Sequence, residues 1–197
     1  MNDNNNADLQ RQMMQLADIL QQNKPLYDVI KKMAEVGLQN YYIGAGCIAQ
    51  TVWNYQSGLA LTYGISDIDI AYFDASDLSS GKENAVTEQI KHAVGPCPIP
   101  LDINNQARVH LWYKDYFGFD IAPYDSVESA ISTWPATATA IGVRLEGGKL
   151  KIYAPFGLDD LFTMTVRANK ALISEKIYIQ KIQKWQGKWP LLNIVPW

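Results

Sequence analysis

The stretch Ser66-Asp67-Ile68-Asp69-Ile70-Ala71-Tyr72-Phe73-Asp74 decides how this chain reads. From Ile65 to Phe73 it is rich in branched and aromatic residues, the composition of a strand. Residues i and i+2 of a strand share a face, so Asp67 and Asp69 project to one side and Ile68 and Ile70 to the other. Two carboxylates held side by side repel each other unless something neutralises them. A divalent cation is the usual remedy. An oxygen-only ligand set suits Mg2+ or Mn2+, which commonly take one or two carboxylates together with substrate phosphates. A D-x-D pattern alone is equally compatible with solvated acids at a strand end.

Upstream lies a glycine turn. Tyr41-Tyr42-Ile43 reads as a short strand running into Gly44-Ala45-Gly46, followed by a helix from about Cys47 to Tyr55 that Gly58 closes. Small residues at such a turn let backbone N–H groups and the helix N-terminus approach an anionic phosphate. The turn is neither G-x-G-x-x-G, because position 49 is Ala, nor a Walker loop, because no Gly-Lys-Ser/Thr follows. Taken alone, it reads as a plain tight turn.

Downstream, Leu101-Asp102-Ile103 sets one carboxylate between two aliphatics. If this strand neighbours the Asp67–Asp69 strand, three acids share one place. Three carboxylates can clamp two metal ions about 3.5–4 Å apart, the arrangement used for in-line displacement at phosphorus. The plainer reading of Asp102 is a surface acid on an edge strand.

The remaining segments set the fold class. Helices are expected at 7–22, from Pro25 to near Gly37, and around 82–93, the last leading to the rigid connector Gly95–Pro100. Leu101 to Tyr113 reads as one long strand and 126–133 as a short helix stopped by Pro135. Gly147-Gly148 between two apolar runs marks a hairpin over Ala140–Ala154, and helical segments are expected at 157–166 and 174–187. The expectation is a mixed α/β fold with at least one strand–helix–strand unit. It forms a single domain over 1–197, with N-terminal helices in 1–40, a core in 41–125, and the hairpin and C-terminal helices in 126–197.

These features together resemble the nucleotidyltransferase fold of the DNA polymerase beta superfamily and, more narrowly, a bacterial family of nucleotidyltransferase-like proteins. The matching blocks are GAGCIAQTVWNYQSG (44–58), SDIDIAYFD (66–74), NNQARVHLWY (104–113) and APFGLDDLFTMTVRAN (154–169), and the likeness spans roughly residues 25–190. The resemblance implies a polymerase-beta-like fold with flanking helices, and metal-dependent transfer of a nucleoside monophosphate from a nucleoside triphosphate to an acceptor hydroxyl, releasing pyrophosphate. It implies that Asp67, Asp69 and Asp102 hold Mg2+ or Mn2+ and carry catalysis, with Asp102 helping to activate the hydroxyl. It also implies that Gly44, Ala45, Gly46, Ser66 and Arg108 bind the nucleotide. The acceptor is left open among a small molecule, an RNA end and a protein side chain. Two departures stand out. The gap from Gly46 to Asp67 is longer than in minimal members, and Ala49-Gln50 replace the Arg-Asp or Arg-Asn pair that some relatives carry on this helix. A second reading is a catalytically inactive nucleotide-binding or regulatory module of the same fold, or half of a toxin–antitoxin pair.

Composition bounds these readings. Of 197 residues, 48% are hydrophobic and 19% charged, the balance of a globular protein. No apolar run approaches the ~18–20 residues that cross a bilayer. The start, MNDNNNADLQ, has neither the basic nor the hydrophobic region of a signal peptide, so a cytoplasmic protein away from membranes is expected. Cys47 and Cys97 read as buried thiols, too few for a disulfide framework. The net charge of −3 argues against a long duplex nucleic acid as partner. Residues 1–147 carry 9 Lys/Arg against 17 Asp/Glu, and residues 148–197 carry 8 against 3. Such an acidic front and basic tail fit a metal site facing a phosphate-binding wall, or simply a solvated basic helix. Arg108, Arg144 and Arg167 are candidates to grip phosphate oxygens or to pair with surface acids. His110 reads as a packed or surface histidine and the tryptophans mostly as core.

Overall fold

The structure, a computed structural model, describes residues 2–197. The chain opens with α1 (Asn2–Gln22) and α2 (Lys24–Glu35). Leu16, Ile19 and Leu20 of α1 and Leu26, Val29, Ile30 and Met33 of α2 form buried stripes at helical spacing. Pro25 sits in the first turn of α2, where a missing N–H breaks no helical bond. Then follow β1 (Tyr41–Gly44), α3 (Gly46–Gln56), β2 (Ile68–Tyr72), α4 (Ser80–Val94) and β3 (Leu101–Asn105). A 3-10 helix over Gln106–Leu111 leads to α5 (Tyr113–Phe117) and α6 (Val127–Ile131), and a 3-10 turn over Thr137–Thr139 leads to β4 (Gly142–Glu146) and β5 (Lys149–Tyr153). The chain ends with α7 (Asp159–Phe162), β6 (Thr165–Val166), α8 (Glu175–Gln186) and β7 (Asn193–Ile194).

Five strands form one mixed sheet in the order β3-β2-β1-β4-β5. Strands β2 and β3 run parallel, and the other pairs are antiparallel. Because parallel neighbours need a crossover, α4 spans the connection between them. Alternation along β2 separates two faces. Ile68 and Ile70 enter the main core with Ile103, Ile43, Ile48, Val52 and the apolar stripes of α1, α2 and α4. Ala71 joins Tyr42, Val127 and Ile131 in a smaller cluster on the other side, beneath α6. Asp69 shares that second face with Ala71, so the sheet buries its aliphatics behind and holds its acids in front.

The mixed α/β class and the hairpin are as the sequence predicts. In the hairpin, Gly147 and Gly148 take φ of 57° and 76°, the left-handed pair that a two-residue turn matching strand twist requires. Two expected elements are cut short. The long strand over Leu101–Tyr113 stops at Asn105. There the Asn105 side chain accepts from the Ala107 N–H at 3.1 Å and from the Asp74 N–H at 3.0 Å, and donates to the Asp74 carbonyl at 2.8 Å. A side chain that supplies its own backbone bonds turns the chain out of the sheet. The helix expected over 157–166 is cut to Asp159–Phe162. Met164 takes φ 52°, and Thr165–Val166 pair instead with Asn193–Ile194. Cys47 is buried as expected, whereas Cys97 is only half-buried, and both thiols are free.

Candidate active site

Backbone register assembles the site. Asp69 pairs with Gly44 of β1 on one side and with Asp102 of β3 on the other. Neighbouring residues in register present their side chains on the same face, so Asp69 and Asp102 point to one side across adjacent strands. Asp67 lies two residues before Asp69, just ahead of β2, and accepts the Ser66 hydroxyl at 3.2 Å. Asp67, Asp69, Asp102 and Ser66 all line one cavity of about 600 Å3.

The turn into α3 supplies another part of the wall. A Cβ on Gly44 would lie 2.3 Å from the Ile141 carbonyl and 2.9 Å from the Trp134 ring, which explains glycine at this position. Ala45 takes φ 58° to turn the chain, and no side chain caps α3, so its first-turn N–H groups stay available. Ala45 and Gly46 line the cavity. Cys47 is not a nucleophile. Its thiol donates to the Gly44 carbonyl at 3.0 Å, and burial, with Asp69 nearby, pushes its proton affinity well up.

Burial and the crowding of like charge both act on Asp69. Burial, then Asp67, then Asp102 raise its pKa from 3.8 to about 7, against a smaller opposing pull from Lys181. Lys181 of α8 lines the same cavity, and its pKa is lowered by burial while Asp69 pulls it back up. Among the described residues, no three histidine, cysteine or acidic side chains close around a single point as a preformed metal cage. Asp67, Asp69 and Asp102 offer oxygen donors alone, the ligand type that suits a hard cation.

Not every expected residue reaches the cavity. Arg108 forms an ion pair with Glu83 and donates from Nε to the Leu78 carbonyl at 2.9 Å, so its guanidinium is engaged beside β3 and outside the cavity lining. Arg144 lies over the Tyr42 ring and pairs with Glu146 at 3.2 Å, and Arg167 pairs with Asp160 at 3.2 Å. All three pair with an acid, Arg108 in a largely buried pair and not at the surface. His110 is half-buried and away from the lining, and Trp53 and Trp189 are fully buried core. Sequence reading did not single out Tyr113, Tyr124 or Lys181, took Gln50 only as a departure from the family pattern and counted Trp134 among tryptophans read mostly as core, yet all five line the cavity. Only the basic tail hinted at Lys181.

A family model described as nucleotidyltransferase matches residues 31–194. The chain belongs to the nucleotidyltransferase family. Transfer of a nucleoside monophosphate is the general chemistry of this family and fold, and the protein is a transferase. Among solved structures, one whose description reads that it reveals a CCA-adding enzyme head domain is similar in fold, with a TM-score of 0.73 and 23% identity over 92% of this chain and 96% of that chain. None of the curated proteins matches the sequence. No helix among the described residues is long and apolar enough to cross a membrane.

Proposed function

We propose that this nucleotidyltransferase moves a nucleoside monophosphate from a nucleoside triphosphate to an acceptor hydroxyl at the cavity over β2 and β3, with Mg2+ or Mn2+ held by Asp67, Asp69 and Asp102. The observation that carries this reading is the register of Asp69 with Asp102, which sets two carboxylates side by side on one face. A structural role would pair these acids with cations. Instead burial, and after it Asp67 and Asp102, drive Asp69 toward its protonated form, with only a smaller opposing pull from Lys181. A bound divalent ion supplies positive charge and polarises phosphoryl oxygens.

The other residues divide the remaining work. Gly44, Ala45 and Gly46 let the N-terminus of α3 meet phosphate oxygens. Ser66 orients Asp67 through its hydroxyl. Asp102, the most exposed of the three acids, takes the proton of the attacking hydroxyl. Positioning and charge stabilisation then carry the displacement at the α-phosphorus. The acceptor is a small molecule, an RNA end or a protein side chain. The acidic chain disfavours long duplex nucleic acid, whose binding rests on many phosphate contacts.

The test is pyrophosphate release on incubating the protein, each of the four ribonucleoside triphosphates and Mg2+ with fractionated cellular small molecules and RNA. Release that depends on Asp69 supports transfer. Nucleotide binding without release from any fraction would favour the inactive binding module.

A further inference from the structure

The strand that carries Asp102 runs on into a wall that neither hydrophobic core uses. Asn104, two residues further along β3, shares the face of Asp102 and lines the cavity. The chain then leaves the sheet, and Trp112, Tyr113 and Phe117 form the next part of the lining. Their rings associate, with 6.2 Å between the Trp112 and Tyr113 centroids and 4.4 Å between those of Tyr113 and Phe117. None of the three belongs to either core. Tyr113 is the buried member, and its hydroxyl donates to the Leu172 carbonyl at 3.2 Å, while Phe117 stays 40% exposed. Aromatic surface kept out of the core and turned to a cavity is what a small-molecule site requires.

Charge gives a second, independent observation. Among the described residues that line the cavity, the charged ones are Asp67, Asp69 and Asp102 by the sheet and Lys181 and Lys184 on α8. The aromatic wall carries no charge, and Leu172, Ile173 and Ile177 extend the lining with aliphatic side chains. A strand of RNA needs cations along its path to meet successive phosphates, and this wall offers none. One polar group stands between the wall and the acids. The Asn104 side chain makes no hydrogen bond among the described residues, its backbone carbonyl alone accepting from Gln106. Its amide is thus available both to donate and to accept beside Asp102. Trp134 lies elsewhere, against the Gly44 turn where the phosphates are placed.

We propose that the acceptor is a small, uncharged aromatic compound bearing a hydroxyl, its ring lying on Trp112, Tyr113 and Phe117 and its hydroxyl reaching Asp102 past Asn104. The inference rests on the nucleotidyltransferase reading above and narrows its acceptor to one class. The attacking hydroxyl must meet Asp102, and the residues that follow Asp102 in the chain form the surface on which the rest of that molecule lies. As the hydroxyl oxygen bonds to the α-phosphorus, its proton passes to Asp102. The bond from that phosphorus to the bridging oxygen breaks, and its electron pair leaves with pyrophosphate. The aromatic wall takes no part in these bond changes. It holds the acceptor by ring stacking and apolar burial, and Asn104 orients the end that reacts.

Ligand-observed NMR on the intact protein tests this, with Mg2+ and a triphosphate analogue that cannot be cleaved at the α-phosphorus. The probes are a set of uncharged aryl alcohols and phenols, ring-free polyols of similar size, a short single-stranded oligoribonucleotide and a tyrosine-containing peptide. At least one aryl alcohol or phenol is expected to bind saturably and more tightly than the other probes. Trp112→Ala and Phe117→Ala should each weaken it by about 5-fold or more, as for loss of apolar burial, and Asn104→Ala by a smaller factor. Triphosphate affinity, measured by calorimetry without any acceptor, should stay within about 2-fold of wild type in all three variants. Phe117→Ala should melt as wild type does, because its ring is exposed and outside both cores. Failure of every aryl alcohol and phenol to bind wild type, tighter binding of another probe, or aryl binding of undiminished strength in Trp112→Ala and Phe117→Ala overturns the proposal. Loss of the triphosphate itself in those two variants would give the wall to the nucleobase and overturn it as well. In each of these cases triphosphate binding by wild type leaves the nucleotidyltransferase reading standing. If wild type binds no triphosphate with Mg2+ or Mn2+, both fall.

Discussion

Asp69 of β2 and Asp102 of β3 are register partners on adjacent parallel strands, although 33 residues apart in sequence. A one-residue slip of β3 would turn Asp102 into the core beside Ile70 and bring Leu101 and Ile103 to the open face, a costly exchange. Burial of Ile103 therefore locks the side of the sheet on which Asp102 stands.

Burial of Asp69, with Asp67 and Asp102 beside it, makes the metal-free protein sensitive to pH. A carboxyl with an ordinary value of 3.8 that is raised to about 7 in the folded state contributes stability fully present below 3.8 and lost as pH rises through 7. The loss is on the order of 4 kcal/mol. Melting in a chelator should therefore fall from pH 5 to pH 8. Asp69→Asn should flatten the profile, melt at or above the wild-type temperature at pH 8, and abolish transfer. A large drop in its midpoint at pH 8 would show the acid to be structural.

Saturating Mg2+ at pH 8 should raise the wild-type midpoint, since a ligand that binds only the folded state stabilises it. The same addition should do little for the double variant Asp67→Asn/Asp69→Asn. Scanning fluorimetry at several metal concentrations checks both.

Asp102→Asn should separate binding from chemistry. Its assigned task is to ready the hydroxyl, so kcat should drop by about two orders of magnitude or more while triphosphate affinity stays nearly unchanged. A Kd that rises in step with the fall in kcat would make Asp102 chiefly a metal ligand.

Gly44→Ala should destabilise the protein by about 1–3 kcal/mol, because the new methyl would lie 2.3 Å from the Ile141 carbonyl and 2.9 Å from Trp134, backbone and ring that cannot easily yield. Denaturant unfolding gives the number directly. A neutral result would mean that β1 and the Ile141 segment part more readily than their packing indicates.

The Asp67–Asp69 pair, the Gly44–Gly46 turn and the glycine hairpin were legible because each depends on a local rule: period-two alternation, small residues at a turn, and positive φ at Gly147 and Gly148. The end of β3 was not legible, since Asn105 leaves the sheet by bonding to Asp74, 31 residues earlier. Arg108 misled for a similar reason, because its partner Glu83 belongs to α4, whose position beside β3 is set by tertiary packing. Lys181 read as one of several lysines on a helix face. Only the docking of α8 over the cavity distinguishes it from Lys188, which donates to the Gly64 carbonyl at 2.9 Å.

The central claim is that Asp67, Asp69 and Asp102 form a metal-dependent nucleotide site, and calorimetric titration of ribonucleoside triphosphates with and without Mg2+ tests it most directly. Saturable binding of at least one triphosphate that requires the metal, and that is lost in Asp69→Asn while that variant still melts cooperatively, is the result predicted. Triphosphate binding of equal strength without metal and in Asp69→Asn, or no binding by the wild type under any condition, would contradict it.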